Sequence, residues 1–204
     1  MKIVKQSVEW AQYLPSGTEV LHRIEMAGRT AYKSEERATA TSSEAFVKNL
    51  INRGHESVLE HVILSVRIIC DRGVSHELVR HRIASFTQES TRYCRYGDEI
   101  VVIEPPGMCA VNKDNWEKAM MGAEYSYLQM LKEGATPQIA RSVLPNSLKT
   151  EIVMSANLRE WRHFFRLRTS PAAHPQMREV AGMALDLFVR QIPIIFDEFV
   201  KETV

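Results

Sequence analysis

His61-Val62-Ile63-Leu64-Ser65-Val66-Arg67-Ile68-Ile69-Cys70-Asp71 decides the fold class of this chain. Val62, Leu64, Val66, Ile68 and Cys70 alternate with Ile63, Ser65, Arg67, Ile69 and Asp71. That period of two predicts a strand with one face more apolar than the other. Upstream the period is helical. Val20, Leu21, Ile24, Ala27 and Ala31 recur at helical spacing over residues 18–32, with Met26 off the stripe. Thr41 and Glu44 form a capping-box pattern ahead of Phe46, Val47, Leu50 and Ile51, and Gly54 supplies the stop. Downstream, Gly73 is expected to break the strand and Ser75 to cap a short helix ending in Arg80-His81-Arg82. A turn-rich passage then leads to a short strand at residues 100–103, ended by Pro105-Pro106. Asp114 and Glu117 open a long helix that Gly134 closes, and Thr136 and Pro137 read as N-cap and first position of the next, running to about Leu144-Pro145. Residues 148–156 read as a strand, Asn157 and Glu160 as cap and third position of a helix, and the segment after Pro175 as an amphipathic helix interrupted near Pro193. With no repeat and no linker, the order predicts one α+β domain over residues 1–204.

The 204 residues are 45% hydrophobic, enough for a real core. Formal net charge is +1, so basic clusters are local features and favour a small anionic ligand over a long polyanion. Cys70, Cys94 and Cys109 are odd in number and lack metal-type spacing, which points to a reducing compartment. Met1-Lys2-Ile3-Val4-Lys5 runs directly into polar residues, unlike a signal peptide. No apolar run approaches the ~18 residues that span a bilayer. A soluble, cytoplasmic protein without membrane contacts is expected.

Four groups of residues can carry chemistry. Arg80-His81-Arg82-Ile83-Ala84-Ser85-Phe86-Thr87-Gln88-Glu89-Ser90-Thr91-Arg92-Tyr93 packs fixed donors at a density that calls for an anion, and arginine forks fit phosphate and carboxylate. Arg159, Arg162, His163 and Arg166 share one helix side, read as an exposed face. Arg168 projects instead with Trp161 and Phe164 on the apolar side, where a guanidinium must lie past the helix end or meet a partner. His55-Glu56-Ser57 with His61 has no recognised metal-ligand spacing, so a histidine donating to a ligand or carbonyl is the reading and no metal is expected. Arg141 sits among Ile139, Ala140, Val143 and Leu144, as a snorkelling surface arginine would. No Gly-x-Gly-x-x-Gly and no P-loop occur, so a bound nucleotide would be held by side chains, not by a Rossmann turn. Cys94, between Arg92 and Arg95, has no neighbouring base.

Arg80-His81-Arg82 followed seven residues later by Ser90 resembles the signature of the flavin-dependent thymidylate synthases. His55-Glu56-Ser57-Val58-Leu59-Glu60-His61 is similar to that family's upstream His-Glu segment. Arg141-Ser142-Val143-Leu144-Pro145 is similar to its Arg-x-x-Leu-Pro element, and residues 157–168 to its C-terminal Asn-x-Arg to Leu-Arg block. The resemblance implies an α/β fold with mixed helices around a small central antiparallel sheet, unrelated to Rossmann enzymes. It implies conversion of dUMP to dTMP, with 5,10-methylenetetrahydrofolate as carbon donor and NADPH-reduced FAD as hydride source. It also implies a homotetramer with sites at subunit interfaces.

By the same resemblance, Arg80, His81 and Arg82 contact FAD, with His55, Ser57, Ile83, Thr87, Gln88, Asn157, Arg159 and His163 as further flavin positions. Glu77, Leu78, Arg80, Gln88, Ser90, Arg92 and Arg141 stand at dUMP positions, Arg92 and Arg141 suiting the phosphate. Arg168 matches the arginine that faces the uracil and favours loss of its N3 proton, the catalytic role. Ser90 is assigned to positioning, because a hydroxyl without a base attacks poorly. Glu77 replaces a glutamine of some members, Thr87 an asparagine, Gln88 a glutamate and His163 an asparagine. Glu77 keeps open a relative that hydroxymethylates or takes dCMP. A basic nucleic-acid-binding module, colourless and steeply salt-dependent, is the alternative of another class; the near-neutral charge argues against it.

Overall fold

The period of two in residues 62–71 is realised as the strand Ile63–Asp71, whose burial alternates along its length. The computed structural model describes residues 1–201. In chain order its elements are β1 (Lys2–Val4), β2 (Ser7–Trp10), α1 (Gly17–Thr30), α2 (Ser42–Asn52), β3 (Ile63–Asp71), α3 (Arg72–Leu78), β4 (Ala84–Gln88), β5 (Val101–Ile103), α4 (Ala110–Lys132), α5 (Pro137–Ala140), β6 (Lys149–Asn157), α6 (Leu158–Arg168), α7 (Pro175–Gln191) and α8 (Pro193–Lys201). Short 3-10 turns occur at Glu35–Arg37, Glu56–His61 and Arg141–Val143. A four-stranded sheet runs β2-β3-β6-β4, and β1 pairs in parallel with β5, Lys2 opposite Val101. This is the expected mixed α/β fold with a small antiparallel sheet and no Rossmann arrangement. No helix among the described residues is long and apolar enough to cross a membrane.

The chain forms two compact units, each built from three separate stretches. The first unit comprises residues 1–7, 68–80 and 86–153. Its core joins Ile100, Val102, Met120, Tyr127, Leu131, Ala140 and Leu148. The N-terminal ammonium lies 2.9 Å from Glu124, a pairing that raises its pKa. The second unit comprises, among the described residues, 8–67, 81–85 and 154–201. Trp161, Phe164 and Phe165 of α6 meet Phe188 of α7 and Phe196 of α8, with Trp161 and Phe188 ring centres 4.7 Å apart. The Trp161 indole N–H donates to the Leu64 carbonyl at 3.0 Å, so the largest core side chain leaves no buried donor unmet.

Most element boundaries follow the sequence signals, and the departures have local causes. Ser16, not anticipated, forms a complete capping box with Glu19 at the start of α1, and these hydrogen bonds hold the Glu19 carboxyl below its usual range. Thr41 occupies the N-cap position of α2 without any side-chain cap bond. The neighbouring Ser42 hydroxyl ties the helix start to its surroundings instead, accepting from Thr39 N–H at 2.8 Å and donating to buried Glu25 at 2.7 Å. Gly73 does not break the chain into a loop but lies in the first turn of α3. Asp71 is the cap, accepting from Val74 N–H at 2.7 Å, and Ser75 lies within the helix, donating back to the Arg72 carbonyl. A carboxylate at the strand's end meets the exposed helix donors before a hydroxyl four residues on can do so. The long helix starts at Ala110, ahead of Asp114, and ends before Gly134, whose φ of 92° suits glycine. α3 ends at Leu78, short of Arg80-His81-Arg82, and the passage read as turn-rich opens with β4, a strand of the four-stranded sheet. β1, β2 and β4 escape periodicity because three to five residues are too few to establish it.

Candidate active site

In the second unit Asn157 ends β6 and caps α6, its side-chain oxygen accepting from Glu160 N–H at 2.9 Å. Sequence reasoning takes Glu160 as the third residue of that cap, and so it is. Its carboxylate, however, goes elsewhere. Oε1 lies 3.1 Å from Nδ1 of His81, and both side chains are almost fully buried. On the other edge of the same ring, Arg168 Nε–H donates to His81 Nε2 at 3.1 Å. Phe164 packs against the ring at 5.0 Å between centroids, and His163 stands 5.9 Å away. Burial holds the His81 pKa below its ordinary value, with the Glu160 hydrogen bond pulling the other way.

Nitrogen and oxygen atoms of His81, Glu160 and His163 lie within 4.8 Å of one another, close enough for a metal ion. The hydrogen bonds occupy part of that donor set. Both ring nitrogens of His81 are engaged by protein partners, and one partner is a guanidinium, whose charge repels a cation.

The same unit holds an open cavity of about 350 Å³ lined by Gly28, Tyr32, His55, Glu56, Ser57 and Arg159 among others. Glu56–His61 forms the 3-10 turn that presents His55 and Ser57, and α6 presents Arg159, which donates to Glu60 at 2.6 Å. Arg162 departs from the expected exposed face. It is buried and donates to the Ile195 carbonyl at 2.5 Å, to Glu198 at 2.7 Å and to Glu56 at 3.1 Å. Arg159, His163 and Arg166 do lie on the exposed side. Helical phase places Arg162 among these basic residues; α8, more than thirty residues on, and Glu56, 106 residues back, supply the partners that bury it.

In the first unit Arg141 lines an open cavity of about 480 Å³ with Arg72, Thr91, Gln138, Ser142 and Asn146. Arg141 Nη1 donates to Thr91 Oγ1 at 3.3 Å. The 3-10 turn at Arg141–Val143 follows directly on α5, so Pro137 fixes where this arginine emerges. Gln88 donates through Nε2 to the hydroxyls of Ser75 and Thr150, at 2.9 and 3.2 Å, which fixes its amide with the carbonyl oxygen turned away from both. Ser90 Oγ accepts from the Arg92 backbone N–H at 3.3 Å, a local turn contact. The Arg92 guanidinium lies 5.5 Å from the Tyr93 ring centre. Glu77 is half-buried, and Leu78 is wholly inside, backbone included. Arg80 and Thr87 of this unit, and Arg82 and Ile83 of the other, are exposed. Burial pushes the Cys70 thiol up to about 12, which removes it as a nucleophile.

Two residues of these sites are not legible in the sequence. Glu160 looks like half of a capping box, and Arg72 like an ordinary residue after a strand. Helical spacing does put Glu160 two turns before Arg168, but nothing local points to His81, 79 residues away.

The family model "Thymidylate synthase complementing protein" (Thy1) matches residues 14–194. The flavin-dependent thymidylate synthase of Geobacter sulfurreducens is 36% identical over 183 residues, covering 85% of this chain and 79% of that protein. The Pyrococcus furiosus protein of the same name is 36% identical over 165 residues, covering 78% and 68%. Among solved structures, a UMP/dUMP methylase, PolB, from Streptomyces cacaoi bound with 5-Br dUMP shares the fold, with a TM-score of 0.80 and 23% identity over 98% of this chain and 97% of that one.

Proposed function

The chain belongs to the flavin-dependent thymidylate synthase family of enzymes, and from that membership we propose that it converts dUMP to dTMP, as one functional domain over residues 1–204. 5,10-Methylenetetrahydrofolate is the carbon donor and NADPH the reductant, in the cytoplasm. The observation that carries the reading is that His55 and Ser57 share one cavity with Arg159, although about a hundred residues separate them in sequence. At about 350 Å³ the opening takes one end of a dinucleotide, and ligand pockets begin near that size. Its imidazole, hydroxyl and guanidinium fit a phosphate-bearing cofactor, and FAD is that cofactor. A homotetramer with sites at subunit interfaces supplies the rest.

FAD, once bound, supplies the hydride chemistry. The protein's residues bind, orient and stabilise charge. Asn157, Arg159 and His163 of α6, with His55, Ser57, Arg80, Arg82, Ile83, Thr87 and Gln88, hold the cofactor. His81, whose ring nitrogens are engaged within the protein, contributes from behind. Arg141 and Arg92 take the dUMP phosphate, and the cavity beside Arg72 has the volume for it. Glu77, Leu78, Gln88 and Ser90 position the nucleotide. Arg168 faces the uracil and stabilises the anion left when N3 loses its proton; arginine itself keeps its charge throughout.

The test is direct. Purified protein reconstituted with FAD should be yellow, and with dUMP, methylenetetrahydrofolate and NADPH it should release dTMP, identified by mass. Failure to retain flavin, or a product formed only from UMP or dCMP, refutes the assignment. Arg168→Ala should lower the methylation rate by roughly 10²–10³-fold, as loss of a donor to a developing anion does. Flavin stoichiometry should stay at the wild-type value; parallel loss of flavin and activity would move Arg168 to the cofactor.

A further inference from the structure

We propose that Glu160 is a positioning residue that sets the direction of Arg168 through His81. The inference rests on the reading of Arg168 as the group that faces the pyrimidine.

The argument starts from what each group can do with a proton. Arginine donates only, so His81 Nε2, 3.1 Å from Arg168 Nε, must present a lone pair. A neutral imidazole with a lone pair on Nε2 carries its hydrogen on Nδ1. That N–H points at the Glu160 carboxylate, 3.1 Å away and buried. The two partners therefore select one tautomer between them. A buried carboxylate on Nδ1–H also makes the opposite nitrogen a better acceptor. Glu160 and Arg168 both leave α6, separated by about 12 Å of helix axis at 1.5 Å per residue. The imidazole spans the gap. Holding Nε–H in this way fixes the guanidinium plane and hence the direction of its two terminal amino groups.

The same geometry makes the device sensitive to acid. Protonation places a hydrogen on Nε2, so two donors confront each other and the His81–Arg168 bond breaks. The ionisable groups facing His81 are Glu160, His163 and Arg168, all on α6. Burial, helped by Arg168 and His163, holds the His81 pKa below its ordinary value, while Glu160 alone favours the imidazolium. Replacing that carboxylate by an uncharged acceptor therefore moves the protonation of His81 to lower pH.

The experiment compares wild type with Glu160→Gln, Glu160→Ala and Arg168→Ala, all loaded with FAD. For each, kcat and KM for dUMP are measured from pH 5 to 9, with flavin content and thermal midpoint. The imidazole 15N shifts of histidine-labelled protein are recorded over the same range, and a His81→Asn sample identifies the His81 signals. Wild-type His81 should show the Nδ1–H tautomer at neutral pH. Glu160→Ala should lose kcat about tenfold, less than the roughly 10²–10³-fold for deleting a donor outright, with KM changed by less than about threefold. Glu160→Gln should recover part of that loss, because its carbonyl still accepts from Nδ1–H. Its acidic limb of kcat and its His81 titration should move together to lower pH. An Nε2–H tautomer in the wild type, or a His81 titration that stays put in Glu160→Gln, overturns the proposal. So does a fall in kcat that tracks flavin loss or unfolding. If Arg168→Ala is fully active, the reading of Arg168 fails; if Arg168→Ala is inactive and both Glu160 variants match wild type, only the link through His81 fails.

Discussion

A single side chain's fate is set by the partners that reach it. Arg162 and Arg166 lie four residues apart on α6 with the same charge, yet one is buried and the other exposed. The difference is that Arg162 meets Glu56, Glu198 and the Ile195 carbonyl, which together satisfy its fork. Arg162→Ala should destabilise the protein by about 3 kcal/mol, the low end for breaking a buried pair, because Glu198 is partly exposed and can rehydrate. Urea unfolding with an unchanged slope checks it, and a loss below about 1 kcal/mol would mean the network is incidental. His81 adds a pH dependence of stability. Its folded pKa lies below the ordinary 6.5, so the unfolded chain binds the extra proton first. Its contribution is complete above pH 6.5 and is lost as pH falls through the folded value.

At the scale of elements, caps and periods carry the fold. Asn157 with Glu160, Pro137, Gly134 and Pro193 all do locally what their residue types require. The exceptions arise at helix starts where the expected capping side chain is not the one engaged. Thr41 has the capping position of α2, but Ser42 makes the bonds, one of them to Glu25 seventeen residues back. Thr41→Ala should therefore change stability by less than about 0.5 kcal/mol, and Ser42→Ala should lower it by roughly 1–2 kcal/mol by stripping a donor from a buried carboxylate. Thermal midpoints of the two variants decide this, and the reverse order would show that the Ser42–Glu25 bond contributes little. Asp71 beats Ser75 to the start of α3 for a similar reason: it stands nearer the unmet N–H groups.

For the whole molecule, the proposed homotetramer makes its own demand. Light scattering should give about four times the mass of one chain, and the unfolding midpoint should rise with protein concentration, because assembly stabilises only the folded state. A monomer that makes dTMP would remove subunit-interface sites from the proposal. The longer helices, the strands β3 and β6, and the inventory of arginines, histidines and amides proposed for the site, but not β2 and β4, are determined by the sequence alone. They depend on spacings of two to four residues, on caps and on motif strings, all of which are local. What the tertiary structure alone decided is which of those groups are buried and whom they meet: Arg162 taken inside, Glu160 turned from its cap to His81, and Arg72 brought to the cavity of Arg141. The reason is physical. A charge is buried only where remote stretches of chain bring a partner that outweighs its lost hydration, and no spacing along the chain encodes that meeting.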